Sequence, residues 1–124
     1  MTPALATPVV TDLETLFSGF ADHTRLRVLN LLAAGQLCVC DLVELLDLPQ
    51  PLVSRHLAYL RRAGLVEVTR EAKYAHYRLA QPTHAVHRNL VKCVQSCFSG
   101  IRSLDRERRA AERRVAERDV APWE

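Results

Sequence analysis

The sequence predicts a mainly α fold carrying one β-hairpin, an α+β domain with a single core. Three observations predict it. Apolar residues recur at three- and four-residue spacing from Thr11 to Arg62, broken by helix-capping and helix-stopping residues. The stretch from Leu65 to Leu79 alternates with a period of two. Helical spacing then resumes beyond Pro82. The length of 124 residues, 48% apolar and 25% charged, suits one domain burying about two-thirds of its unfolded surface.

Residues 1–10 contain Pro3 and Pro8 and few charges, and are expected to form a flexible arm ahead of a domain spanning 11–104. The first helix starts near Thr11 and carries Leu13, Leu16, Phe17 and Phe20. Asp22 caps a second helix that buries Leu26, Leu29 and Leu32 and closes at Gly35. A third runs from about Val39 to Asp47, burying Leu42, Leu45 and Leu46, and Pro49 breaks it. A fourth starts near Pro51, a good first-turn residue, and Gly64 stops it. Two short helices joined by a tight turn, the second rich in Ser, Arg and His, make a helix-turn-helix candidate. The strands that follow turn at Glu71-Ala72-Lys73, with Val66 and Val68 opposite Leu79 and Tyr77. A helix-turn-helix followed by a hairpin is a winged helix-turn-helix. Pro82 ends the second strand and Thr83 caps one long final helix. That helix carries Val86, Leu90, Val94, Phe98 and Ile101 on one stripe, more apolar surface than one small domain covers, so a homodimer through the terminal helices is expected. The segment 105–124 is a charged tail or a continuation of that helix. Its stretch from Asp105 to Asp119 holds six Arg and five acids.

Composition excludes collagen-like, disordered and disulfide-scaffold classes. No apolar run approaches the ~20 residues of a transmembrane helix. The absence of a basic residue before Arg25 argues against a secretory signal and for a cytoplasmic chain with reduced thiols. No nucleophile elbow, phosphate loop or catalytic carboxylate pair is present, so an enzyme is not expected. The net charge of +3 hides an uneven distribution: residues 1–49 sum to −4, residues 50–80 to +4 and residues 81–124 to +3. A basic middle segment fits a polyanionic partner met by one defined region.

The stretch Ala21 to Leu79 closely resembles the ArsR/SmtB family of metalloid- and metal-responsive repressors. Two motifs carry the resemblance. Cys38-Val39-Cys40-Asp41-Leu42 is similar to the inducer site of arsenite-responsive members, and Val53-Ser54-Arg55-His56-Leu57 is similar to a recognition helix. The resemblance implies a homodimer that binds a palindromic operator in double-stranded DNA, represses, and dissociates when inducer binds. The chain departs from the family pattern in three places. His23 stands where Pro is usual, Pro49 stands where a capping Ser or Thr is common, and Ala72 stands where the wing tip commonly has Gly.

A recognition helix specifies sequence through polar side chains that reach base edges, here Gln50, Ser54 and His56. Arg55, Arg62, Arg70 and Lys73 are placed to neutralise phosphates from the helix flank and wing. The alternative for His56 is packing under the wing.

Cys38 and Cys40 open the third helix, where unpaired N–H groups and the positive dipole end favour thiolate. Two soft thiolates suit As(III) or Sb(III), and also Cd(II), Pb(II) or Zn(II). Residues two apart diverge on a regular helix, so one ion meets both only if the first turn distorts. Some arsenite-responsive relatives carry a further Cys three residues on, where this chain has Val43. Cys93 and Cys97, four apart on the last helix, are the candidates to supply a third ligand or a separate site across the dimer axis. His84 and His87 are expected as exposed first-turn residues, with membership of a zinc site as the alternative. A thiol-redox switch remains as rival chemistry. It would have to join one pair to the other, because Cβ atoms ~5–6 Å apart on a helix do not reach the roughly 3.8 Å of a disulfide.

Overall fold

The computed structural model describes residues 7–71 and 73–119. Its elements, in chain order, are α1 (Val10–Phe20), α2 (His23–Leu32), β1 (Leu37–Cys38), α3 (Val39–Leu46) and α4 (Gln50–Arg62), then β2 (Val66–Glu71), β3 (Tyr74–Leu79), α5 (Ala85–Cys97), a 3₁₀ turn (Phe98–Gly100) and α6 (Arg102–Asp119). Helices α3 and α4 form the helix-turn-helix, and β2 and β3 form the wing. Among the described residues no helix is long and apolar enough to cross a membrane.

Local chemistry explains most boundaries. The Asp22 carboxylate accepts a hydrogen bond from the backbone N–H of Arg25 at 3.0 Å and caps α2 as expected. Pro49 precedes α4 and makes no side-chain cap, which fits its place as a departure from the family pattern. Gly64 ends α4 at φ +79, and Leu65 N–H then reaches back to Leu60 O at 2.9 Å, closing the helix end. Helix α3 stops two residues before Pro49. Asp47 takes a left-handed conformation at φ 54 and bonds back to Val43 O, a conformation Asp tolerates better than most residues. Leu29, Leu42, Leu46, Val53, Leu57 and Leu60 form one core beneath these helices. Leu45 is only half buried.

The hairpin register is Val66 opposite Leu79 and Val68 opposite Tyr77, as the alternation predicts. A third strand joins it. β1 pairs antiparallel with β3, Leu37 opposite Tyr77 and Cys38 opposite His76, giving the order β1-β3-β2. Two residues are too few to show alternation, so β1 has no sequence signature. The wing-tip position Ala72 lies outside the described residues.

The C-terminal half corrects three expectations. His84, not Thr83, caps α5: its Nδ1 accepts from His87 N–H at 3.2 Å. Both histidines are buried, at 8% and 2% exposure, rather than lying on the surface. The single long final helix is two helices, since the chain turns a corner at Phe98-Ser99-Gly100 and Ile101 is extended. Ser and Gly are weak helix formers, and the corner lets α6 fold back over α2 and α3. The described part of the charged segment beyond residue 104 is therefore helical but does not continue α5 in line.

Much of the apolar stripe consequently packs on the chain's own core. Val94 is buried there, with Val86, Leu90 and Phe98 packed against the core. Ile101 and Phe17 remain about half exposed. Polar contacts hold α6 in place. Asn30 is fully buried and donates to Leu104 O at 2.8 Å, while its Oδ1 accepts from Arg108 Nε at 3.1 Å. Arg27 pairs with Glu107 at 2.6 Å and donates to Leu46 O at 3.0 Å. Ala111 is fully buried, and Val115 covers Gly35 so closely that a Cβ there would lie 3.1 Å from it.

Candidate functional site

Cys38 ends β1 and is also the cap of α3, with an extended backbone at φ −83, ψ 166. Its Sγ accepts from Asp41 N–H at 3.4 Å and donates to the Asp41 carboxylate at 3.2 Å, while its own N–H donates to the same oxygen at 3.2 Å. Cys40 sits exposed in the first helical turn. Because Cys38 stands outside the helical spiral, the divergence of positions two apart does not apply. Both thiols line one open cavity of about 510 Å³.

The surroundings of Cys38, rather than the cap itself, run against the expectation of a ready thiolate there. Burial pushes its pKa up, and the neighbouring Asp41 carboxylate adds to the rise, outweighing the hydrogen bond from Asp41 N–H. The 3.2 Å contact of Cys38 Sγ with the Asp41 carboxylate favours the thiol over the thiolate here.

Asp41 is nearly buried and ties this turn to α6. Its carboxylate accepts from Arg114 at 2.8 Å and from Arg118 at 3.3 Å. Burial opposes its charge, but the hydrogen bonds from Arg114 and Cys38 prevail and hold its pKa below the usual carboxylate value. Arg114 also pairs with Glu44 at 2.9 Å, and Arg118 donates to Gln36 O. Arg114, Glu117 and Arg118 from α6 form one wall of the cysteine cavity, and Tyr74 and His76 from β3 form another. The motif shows Asp41 beside the cysteines but not its arginine partners, which lie more than seventy residues away in the chain.

Cys93 and Cys97 lie exposed on α5, one turn apart, and do not line this cavity. The Cys93 thiol is pushed up by desolvation and by its neighbour Cys97. Among the described residues of one chain, no three His, Cys, Asp or Glu side chains are grouped closely enough to hold a metal ion.

Gln50, Ser54, Arg55 and Arg62 are exposed along α4, Arg70 is exposed on β2, and Lys73 is exposed at the wing tip. Ser54 and Arg62 share a shallow depression with Ala58, Arg61 and Tyr77, so the wing meets the helix there. Arg61 belongs to this basic surface, and the Arg-Arg pair ending α4 was its available signal. His56 is placed differently. Its side chain is 15% exposed, with Nδ1 3.7 Å from the Asp22 carboxylate, so it faces α2 rather than standing out beside Ser54 and Arg55. Arg25 stacks on Tyr59 at 4.0 Å and donates to Ser18 O at 2.7 Å, bracing α4 against α1 and α2.

Residues 22–68 match the family described as bacterial regulatory protein, arsR family. An arsenical resistance operon repressor of Escherichia coli is 52% identical over 66 residues, covering 52% of this chain and 56% of that one. The chain therefore spans little more than half the length of that relative. An arsenic resistance transcriptional regulator of Pseudomonas putida is 38% identical over 93 residues, covering 74% of this chain and 67% of that one. Among solved structures, the homodimeric winged helix-turn-helix DNA-binding domain of a possible ArsR-family regulator from Mycobacterium bovis superposes with a TM-score of 0.62. It is 27% identical, with 73% of this chain and 81% of that chain covered. A helix-turn-helix with a basic wing, a cysteine-capped α3 and these matches converge: the chain belongs to the arsR family of bacterial regulatory proteins, DNA-binding transcriptional regulators rather than enzymes.

Proposed function

We propose that this chain is a homodimeric repressor that binds a palindromic operator and releases it when As(III) or Sb(III) is captured by Cys38 and Cys40. The observation that carries the reading is the shared cavity of the two thiols at the head of α3, one short turn ahead of α4. Arsenous acid needs no preformed thiolate: each sulfur forms a bond to arsenic, one As–O bond breaks, and the thiol proton leaves with the hydroxide as water. Cys38 must then give up its bond to Asp41, which disturbs the cap of α3 and its link to α6.

On the DNA side, Gln50 and Ser54 meet base edges, and Arg55, Arg62, Arg70 and Lys73 meet phosphates. The exposed apolar residues Phe17 and Ile101 are available to a second copy. Cys93 and Cys97 enter this reading as a separate dithiol pair on α5 or through the partner copy.

Titrating an operator complex with arsenite tests the reading. Replacing Cys38 and Cys40 by Ser keeps DNA binding and abolishes release, whereas unchanged release refutes the site. A second reading, release by Cd(II), Pb(II) or Zn(II), is favoured by one observation: the cavity also carries the imidazole of His76 and the carboxylate of Glu117, donors suited to borderline dications. The ion that releases DNA at the lowest concentration separates the two.

A further inference from the structure

We propose that His76 is the nitrogen partner of the Cys38–Cys40 pair, so that a thiophilic ion bound there is held by two sulfurs and the His76 imidazole and is thereby tied to the wing. The inference rests on the cysteine site proposed above and extends it to a strand that no sequence motif connects with it.

Three independent observations carry it. First, the register places His76 directly opposite Cys38 in the β1–β3 ladder. Directly opposed residues point to the same face of a sheet, with Cβ atoms roughly 4.5–5.5 Å apart. Second, His76 lines the same cavity as Cys38 and Cys40. Third, its Nδ1 is buried and has no hydrogen-bond partner among the described residues. A buried polar atom without a partner is costly and calls for an explanation, and an ion arriving between His76 and the thiols supplies one. Imidazole and thiolate together suit the borderline and soft ions that the thiols select.

The three side chains are not yet gathered as a metal-holding group in the free chain. Binding must therefore draw Cys40, in the first turn of α3, in toward the paired Cys38 and His76. β3 is one strand of the wing and α3 leads into α4, so closing this site shifts the wing relative to the recognition helix. The two-residue strand β1 has a purpose in this scheme, because it fixes Cys38 against His76.

The test uses the full-length chain, labelled with ¹⁵N-histidine and loaded with ¹¹³Cd(II) as a thiophilic probe. The His76 Nδ1 resonance is expected to shift and to split by coupling to cadmium. The His76→Gln variant is expected to keep the sulfur-to-cadmium absorption but to bind about tenfold or more weakly. An unmoved and unsplit His76 resonance in the wild-type chain overturns the proposal without needing any variant to fold. If that resonance stays still while Cys38→Ser and Cys40→Ser abolish the sulfur band, His76 is excluded and the cysteine site stands. If those two variants keep the band, the cysteine site itself fails.

Discussion

Replacing Asp41 by Asn removes the charge that joins the head of α3 to α6 while keeping the shape of the side chain. The carboxylate accepts from Arg114, Arg118, the Cys38 backbone and the Cys38 thiol. Hydrogen bonds to a charged group are each worth ~1.5–3 kcal/mol when protected. Arg114 and Arg118 are about a third exposed, so water recovers part of their loss and their contributions fall toward those of surface pairs. The net cost is then about 2–3 kcal/mol. Urea unfolding followed by far-UV circular dichroism measures it, at one fixed protein concentration because association contributes to apparent stability.

The pH dependence has a definite sign. Asp41 has a folded pKa below its unfolded value near 3.8, so its contribution is fully present above that value and is lost as pH falls through the folded pKa. The gap between wild type and Asp41→Asn should be constant from pH 7 to pH 5 and should close under more acid conditions. A double cycle with Arg114→Ala should be non-additive, since the two residues touch. Additive losses, or a gap that does not narrow in acid, would refute the ion-pair account of how α6 is anchored.

Three further outcomes follow from the same geometry. Asn30→Leu leaves Leu104 O and Arg108 without their buried partner and should cost about 1–3 kcal/mol, with faster amide exchange in α6 before the rest of the chain. Gly19→Ala would bring a Cβ within 2.5 Å of the buried Leu65 side chain and should destabilise by about 1–3 kcal/mol in thermal or urea unfolding. Lys73→Ala should weaken binding to operator and random DNA alike and reduce the slope of log K against log salt by about one. Ser54→Ala should lose mainly the preference for operator, and equal losses on both DNAs for both variants would refute that division.

The helices through α4 and the hairpin were legible because each signal is local. Asp22 caps, Gly64 stops, and alternation from Leu65 to Leu79 sets a strand period, all within a few residues. The place of the cysteine pair at the start of α3 was legible for the same reason, since the helix boundary there is set within one turn. His56 was less so: its place in α4 is plain, but its turn toward Asp22 depends on how α2 lies beside it.

Beyond Pro82 the local signals mislead. Apolar spacing from Val86 to Ile101 continues across the Ser99-Gly100 corner, so periodicity reports one helix where the chain makes two. Nothing near Arg114 or Arg118 shows that they close on Asp41, and nothing near His76 shows that a two-residue strand sets Cys38 opposite it.

The sequence by itself determined the winged helix-turn-helix, the basic face along α4 and the wing, and the two thiols at the head of α3. These depend on caps, periods and spacings that act over one or two turns. The tertiary structure alone decided that Cys38 is half-buried and hydrogen-bonded to Asp41, that Cys93 and Cys97 lie apart from it, and that α6 and β3 wall the cysteine cavity. Those facts rest on charge pairing and strand pairing between distant segments, whose energies arise only once the chain has folded.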